Sequence, residues 1–108
     1  MAKYLLIESR DPLAGHDTWY FHDLAASLAR AENQVTLFLV QNGVLAARAG
    51  SRLASFDALV KAGVEVLADG FSLRERGLPE SRLAAGVTTA SLDVVVDRLA
   101  DGHKALWH

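Results

Sequence analysis

The sequence predicts a single α/β domain, residues 1–108, in which helices cover both faces of a mostly parallel sheet of four or five strands. Three continuous apolar runs read as strands buried on both faces: Lys3–Glu8, Val35–Val40 and Val64–Ala68. Segments of helical periodicity separate these runs, so strand and helix alternate along the chain. This alternation is typical of βαβ units with right-handed crossovers and predicts a three-layer αβα, flavodoxin-like architecture.

The first predicted strand, Lys3–Glu8, leads into a loop over Ser9–His16 that contains proline, glycine and aspartate. Asp17 or Thr18 is suited to cap the helix that follows, and Asn33 closes that helix. Apolar residues at i, i+3, i+4 and i+7 define the side of this helix that faces the core: Phe21, Leu24, Ala25 and Leu28.

The second predicted strand, Val35–Val40, ends in the turn Gln41–Gly43, and a short helix is predicted over Val44–Ala49. Ser51 is suited to cap the next helix. The apolar side of that helix consists of Leu53, Phe56, Leu59 and Val60. Gly63 follows at the position where a helix commonly ends on a left-handed residue.

The third predicted strand, Val64–Ala68, runs into a polar loop, Asp69–Ser72, and a cationic turn, Arg74–Arg76. Pro79 indicates the start of a helix over Leu78–Ala85, because proline is tolerated in the first helical turn. The remaining predicted elements are a short strand at Gly86–Thr89, a helix capped by Ser91 with Leu92, Val95 and Leu99 on its inner side, and a terminal strand at His103–Trp107.

The composition excludes several classes of function. A net charge of −2 gives no basic face for nucleic acid, and no apolar run approaches the roughly 20 residues that cross a membrane. The N-terminus lacks the apolar stretch of a signal peptide, so a cytoplasmic location is expected. The chain has no cysteine, which excludes thiolate metal sites and thiol catalysis. No phosphate-binding glycine motif is present, and we expect no cofactor and no metal.

Polar side chains follow the predicted strands, and in parallel sheets ligands bind beyond the carboxyl ends of the strands. Six such side chains form the candidate ligand-binding site: Asp69, Ser72, Arg74, Arg76, His16 and Asn42. Arginine is well suited to bidentate recognition of an anion. The alternative is that Arg74 and Arg76 belong to an ordinary surface charge pattern with Glu75 and Glu80.

The histidines give weaker indications of a functional site than the six residues above. His16 lies close in sequence to Asp11 and Asp17, which could form a metal or acid–base cluster, although a solvated loop with a capping aspartate is the favoured interpretation. His22 and His103 are expected to be surface or packing residues. The terminal residue, His108, is expected to be mobile.

Two segments together resemble the DsrE/DsrF-like family of small sulfur-relay proteins, which includes the Tus subunits. Val35–Val44 (VTLFLVQNGV) is similar to a family strand followed by an F-x-x-D-G-V-type turn. Asp69–Leu78 (DGFSLRERGL) is similar to a family loop of the form C-G-T-C-x-x-x-R-G-L. The resemblance continues through LVKAGVEV and the final SLDVVVDRLADGHKALWH, so it covers nearly the whole chain.

In family members that carry sulfur, the loop cysteine holds it as a persulfide, and alignment on Arg76–Gly77–Leu78 places Ser72 at that cysteine. Sulfur relay needs a thiolate, which serine cannot supply. The resemblance therefore implies a structural or regulatory subunit without carrier activity and without catalytic residues. It implies a homo-oligomer (dimer, trimer or hexamer) or an assembly with DsrE-family partner subunits.

Two other functions remain open from the residues. The first is a module that binds a small anion or metabolite through the loop after the third strand. The second is a hydrolase with Ser72 as nucleophile and His16 as base, for which the usual G-x-S-x-G elbow is missing.

Overall fold

A computed structural model describes residues 1–12, 17–49 and 55–108, with the backbone alone described at Ser55. Its strands are β1 (Lys3–Glu8), β2 (Gln34–Leu39), β3 (Glu65–Asp69), β4 (Val87–Ala90) and β5 (Lys104–Trp107). Its helices are α1 (Asp17–Arg30), α2 (Ser55–Ala62), α3 (Gly70–Glu75) and α4 (Asp93–Ala100). Two 3₁₀ segments cover Gln41–Ala47 and Glu80–Arg82.

The five strands form one parallel sheet in the order β4-β3-β2-β1-β5. The chain moves one strand at a time from β1 to β4, and the segment that contains α4 returns it across the sheet to β5, beside β1. The predicted α/β class with a parallel five-stranded sheet is therefore confirmed. The strand order differs from the 2-1-3-4-5 order of flavodoxin itself.

The larger core lies between the sheet and helices α1 and α2. α1 contacts β1, β2 and α2, and α2 packs on β3. Its fully buried apolar residues come from both layers and include Leu6, Leu37, Leu39, Val66 and Leu59. Complete burial of such a side chain contributes about 1.5–3 kcal/mol. Of the predicted inner side of α1, Ala25 is buried and Phe21 and Leu28 pack against the core, but Leu24 is exposed.

The opposite face of the sheet has a smaller core, against which the eight-residue helix α4 packs. Buried Leu5, Phe38, Val40 and Leu67 project from the strands here, and Val94 and Val95 of α4 pack against them. Of the predicted inner side of α4, Val95 does pack on the sheet, but the placement of Leu92 and Leu99 there is wrong. Both are exposed, because the helix turns its paired valines towards the sheet.

The predicted helix over Leu78–Ala85 is also wrong, since only a short 3₁₀ turn forms there. The backbone of this segment pairs instead with the end of the earlier 3₁₀ segment: the Ala84 N–H donates to the Ala47 carbonyl at 2.7 Å, and the Ala49 N–H donates to the Arg82 carbonyl at 2.6 Å. These long-range bonds satisfy the groups that a helix would have paired internally.

Two sequence predictions lie outside the described residues, namely the capping role of Ser51 and the buried position of Leu53. Within the described ranges, none of the helices has the length and apolar character needed to cross a membrane.

Candidate functional site

Asp69 and Ser72 form the centre of the candidate site at the carboxyl end of β3. Asp69 is the last residue of β3 and caps α3, because its Oδ2 accepts hydrogen bonds from the Ser72 N–H at 3.1 Å and from the Ser72 hydroxyl at 2.7 Å. Both side chains are buried, and Ser72 is only 4% exposed. The prediction of an exposed polar loop at Asp69–Ser72 is therefore wrong: the strand passes directly into a helix that covers these groups.

The Ser72 hydroxyl also connects α3 to the segment after β2. The Gln41 N–H donates to Ser72 Oγ at 2.8 Å, and Gln41 has a positive φ of 50°. The hydroxyl thus donates one hydrogen bond and accepts another, which fixes its orientation. This arrangement fastens α3 to the 3₁₀ segment after β2 at the carboxyl edge of the sheet.

Arg76 and Asn42 lie together beside this centre. The Arg76 Nε donates to Asn42 Oδ1 at 3.1 Å, and its Nη1 donates to the Ser72 carbonyl at 3.2 Å. The guanidinium is therefore held by two loops and is only partly exposed. Four of the six candidate residues are brought into one contiguous network.

Arg74 does not join that network. A side chain placed at Gly70 would meet Arg74 Nη1 at 3.3 Å and Thr89 Cγ2 at 3.2 Å, so Arg74 lies on the β4 side of α3. Arg74 lies on the last turn of α3 and Arg76 directly follows the helix, two residues on, so their side chains leave in different directions and do not form a joint anion clamp. His16 lies outside the described residues, so its predicted place in the site stays a prediction.

A groove of about 680 Å³ opens beside the network, on the face of the sheet that carries α4. Its floor and walls are mostly apolar: Ile7, Val40, Phe71, Leu92, Val95, Val96 and Trp107. Its polar lining consists of Gln41, Asp69, Ser72, Glu75 and Arg76. The volume lies in the range of about 300–1,000 Å³ that is usual for small-molecule sites.

A second polar cluster, which no local sequence pattern indicated, lies at the end of β1. Glu8 is fully buried, and both of its carboxylate oxygens lie within 3.0 Å of His108 Nδ1. The His108 ring stacks on Phe21 with centroids 5.3 Å apart, so the prediction of a mobile His108 is wrong. Burial raises the pKa of Glu8, while the hydrogen bond from His108 opposes that rise.

The other two histidines within the described ranges are buried, as packing residues are. Neither His22 nor His103 has a hydrogen-bond partner for its ring nitrogens in the described part of the chain. Burial lowers the pKa of His22 to about 4. Among the described residues, no group of three or more His, Asp or Glu side chains is placed to hold a metal ion.

Comparison with known proteins identifies the class. The chain is similar over its whole length to the structures of YchN from Escherichia coli (20% identity, TM-score 0.90) and MTH1491 from Methanobacterium thermoautotrophicum (19%, 0.86), and each match covers both chains completely. It is also similar to BT1422 from Bacteroides thetaiotaomicron (17% identity, TM-score 0.72, 98% of this chain and 95% of that one). At these identities, the similarity shows a shared α/β fold. No curated protein sequence matches the chain.

A family model is more specific than these structural matches. The model of the DsrE/DsrF-like family matches residues 2–107. The chain therefore belongs to the DsrE/DsrF-like family, as the resemblance of its sequence predicted.

Proposed function

We propose that this protein is a DsrE-like subunit that does not carry sulfur and has a structural or regulatory role. The observation that carries this proposal is the state of the Ser72 hydroxyl, which is buried and hydrogen-bonded to both Asp69 and the Gln41 N–H. The resemblance places the sulfur-carrying thiol of other members at this position. In this chain the position holds the Ser72 hydroxyl, which links α3 to the segment after β2. The same burial supports a non-enzymatic role, because an acceptor carboxylate in that position does not present Ser72 to a substrate.

The Ser72→Cys variant tests whether the site is organised for sulfur transfer. Because Asp69 Oδ2 lies 2.7 Å from the present hydroxyl, we expect a thiol there to have a pKa above the ordinary value of about 8.5. The chain has no other cysteine, so the rate of iodoacetamide alkylation against pH reports this thiol alone. The double variant with Asp69→Asn is the control, and its thiol should be more acidic. A thiol pKa well below 8.5 in the single variant would contradict the proposal.

Assembly with a second copy of this chain is the second part of the proposal. Leu92, immediately before α4, and Val96 and Leu99 on the helix follow the spacing i, i+4, i+7. They are 54%, 66% and 50% exposed, while Val94 and Val95 of α4 face the sheet. This outer stripe of α4 is an apolar surface at helical spacing, which is the pattern that packs against another helix. A two-fold contact would pair the stripe with itself, since an isologous interface uses the same patch on both subunits.

We expect the protein to be an oligomer by light scattering coupled to size-exclusion chromatography, and the Leu99→Lys variant to be a monomer at micromolar concentration. A lysine there would place a charge in the centre of an apolar contact. The matched control is Asp97→Asn, which changes the net charge equally but lies away from the stripe on the same helix. A wild-type monomer at all concentrations would contradict homo-oligomer formation and favour a partner subunit of the same family.

A second candidate function is the binding of a small molecule by the segment after β3. The groove beside Ser72 and Arg76 favours it, because the groove has the volume of a ligand site and lies at the carboxyl edge of a parallel sheet.

A further inference from the structure

The groove beside α3 and α4 differs in character from the anion site that two arginines would form. Its apolar lining comes from β1 and β5, from α3 and α4, and from the residues that follow β2 and precede α4. Among the described residues that line it, only Arg76 is cationic, whereas Asp69 and Glu75 are both carboxylates. These three charged groups sum to one negative charge, which disfavours an anion.

Two of the three charged groups at that edge are engaged already. The Asp69 carboxylate accepts from Ser72, and Arg76 donates to Asn42 and to the Ser72 carbonyl. The third, Glu75, is exposed to solvent, where its attraction for a cation is screened. A charged ligand would have to compete with the existing bonds or lose hydration against an apolar wall, and either is unfavourable.

Two aromatic side chains supply much of that area. Trp107 is 72% exposed, yet its ring is anchored because Nε1 donates to Ser9 Oγ at 3.1 Å. Trp107 pairs in register with Ile7 of β1, which lines the same groove. Phe71, 59% exposed on α3, lines the groove as well. Exposed aromatic rings held in place are well suited to stacking with a planar ligand.

We infer that the groove binds a small, uncharged aromatic molecule, held mainly by contact with Trp107 and Phe71. The inference rests on the second candidate function, ligand binding beside α3, and changes its ligand from an anion to a neutral apolar compound. Ser72 and Arg76 then form the edge of the site and hold its shape.

Isothermal titration calorimetry at pH 7 with three naphthalenes of the same shape tests the ligand class. The probes are 2-naphthylmethanol, which is neutral, 2-naphthoate, which is an anion, and 2-naphthylmethylammonium, which is a cation. We expect the neutral probe to bind about tenfold more tightly than either charged probe, because the charged groups lose hydration without gaining a partner. Inorganic phosphate is expected not to bind.

Variants locate the site. Phe71→Ala and Trp107→Ala replace exposed side chains, so the fold should persist, and each is expected to weaken binding of 2-naphthylmethanol about tenfold. The matched control is Tyr20→Ala, which removes an equally exposed aromatic side chain from α1 that does not line the groove, and it should bind as the wild type does.

The outcomes separate the inference from the function on which it rests. Tightest binding of either charged naphthalene, or binding of phosphate alone, would overturn the neutral ligand class and leave ligand binding beside α3 intact. Failure of all four probes to bind would overturn both. If Trp107→Ala instead reduced the oligomer mass, a second copy of the chain would occupy the groove, and the small-molecule inference would be wrong.

Discussion

Replacing Gly43 with alanine is expected to destabilise the fold by about 3 kcal/mol, the upper part of the usual range for overpacking. A Cβ at this position would collide with the Glu8 carbonyl oxygen and lie 3.0 Å from the Glu8 carbonyl carbon. That carbonyl cannot easily move, because it accepts the Val40 N–H at 2.9 Å where the chain leaves the sheet. Urea unfolding followed by circular dichroism measures the loss of stability.

Gly63→Ala is the matched control for this effect. Gly63 has a φ of +98° and open space around its Cβ position, so alanine there incurs only the backbone strain of about 1 kcal/mol. Equal losses of stability in the Gly43→Ala and Gly63→Ala variants would show that contact with the β1 backbone does not determine which side chain is tolerated at position 43. The difference between the two variants therefore isolates steric contact from backbone conformation.

Stability is expected to fall between pH 6.5 and pH 4 because of His22. This ring is buried between Trp19 and Phe56, with centroids 6.1 and 5.6 Å away, and its pKa is lowered from 6.5 to about 4. As the pH falls below 6.5, the unfolded chain binds a proton at His22 that the folded chain does not bind. The free energy of unfolding therefore decreases, by about 3 kcal/mol at pH 4.

The His22→Phe variant should lose this contribution to the pH dependence. Relative to its value at pH 8, we expect its stability at pH 4 to exceed that of the wild type by about 3 kcal/mol. Comparison of the two proteins cancels the contributions of other titrating groups, including Glu8. The raised pKa of Glu8 stabilises the folded state at low pH, and this contribution is lost as the pH rises. An NMR titration of the ring near pH 6.5 in the folded wild type would contradict the assignment.

The strands of the fold could be predicted because a strand buried on both faces has few alternatives. Lys3–Glu8 was predicted with the bounds that β1 has, and β2 and β3 differ from their predicted ranges by one residue at each end. The short strand β4 and the terminal β5 were likewise found within one residue at each end. Apolar runs of this length do not fit an exposed helix or a loop.

The buried sides of the helices were harder to predict, because periodicity alone does not say which apolar stripe faces inward. The sequence favoured Leu92, Val95 and Leu99 on the inner side of α4, whereas the partly buried residues that pack on the sheet are Val94 and Val95. Nor could sequence show that the residues after Pro79 would pair with Ala47 and Ala49. That pairing depends on a contact across more than 30 residues.

The candidate site was predicted in part. Its position after β3 and the neighbourhood of Asp69, Ser72, Arg76 and Asn42 follow from the parallel sheet, because the carboxyl ends of its strands share one edge. The opposite direction of Arg74 depends on α3 beginning directly at Gly70, where the sequence indicated a loop. The buried pair of Glu8 and His108 needs contacts between the first and last strands, for which no local pattern exists.

The strand order has a consequence for how the chain reaches its native state. β1 through β4 are joined by successive crossovers between neighbours, but β5 pairs with β1 across about a hundred residues of chain. Closing so long a loop is entropically unfavourable and is compensated only by contacts that β5 makes on arrival. All four residues of β5 remain exposed, so this strand is the natural last step of folding and the first to detach.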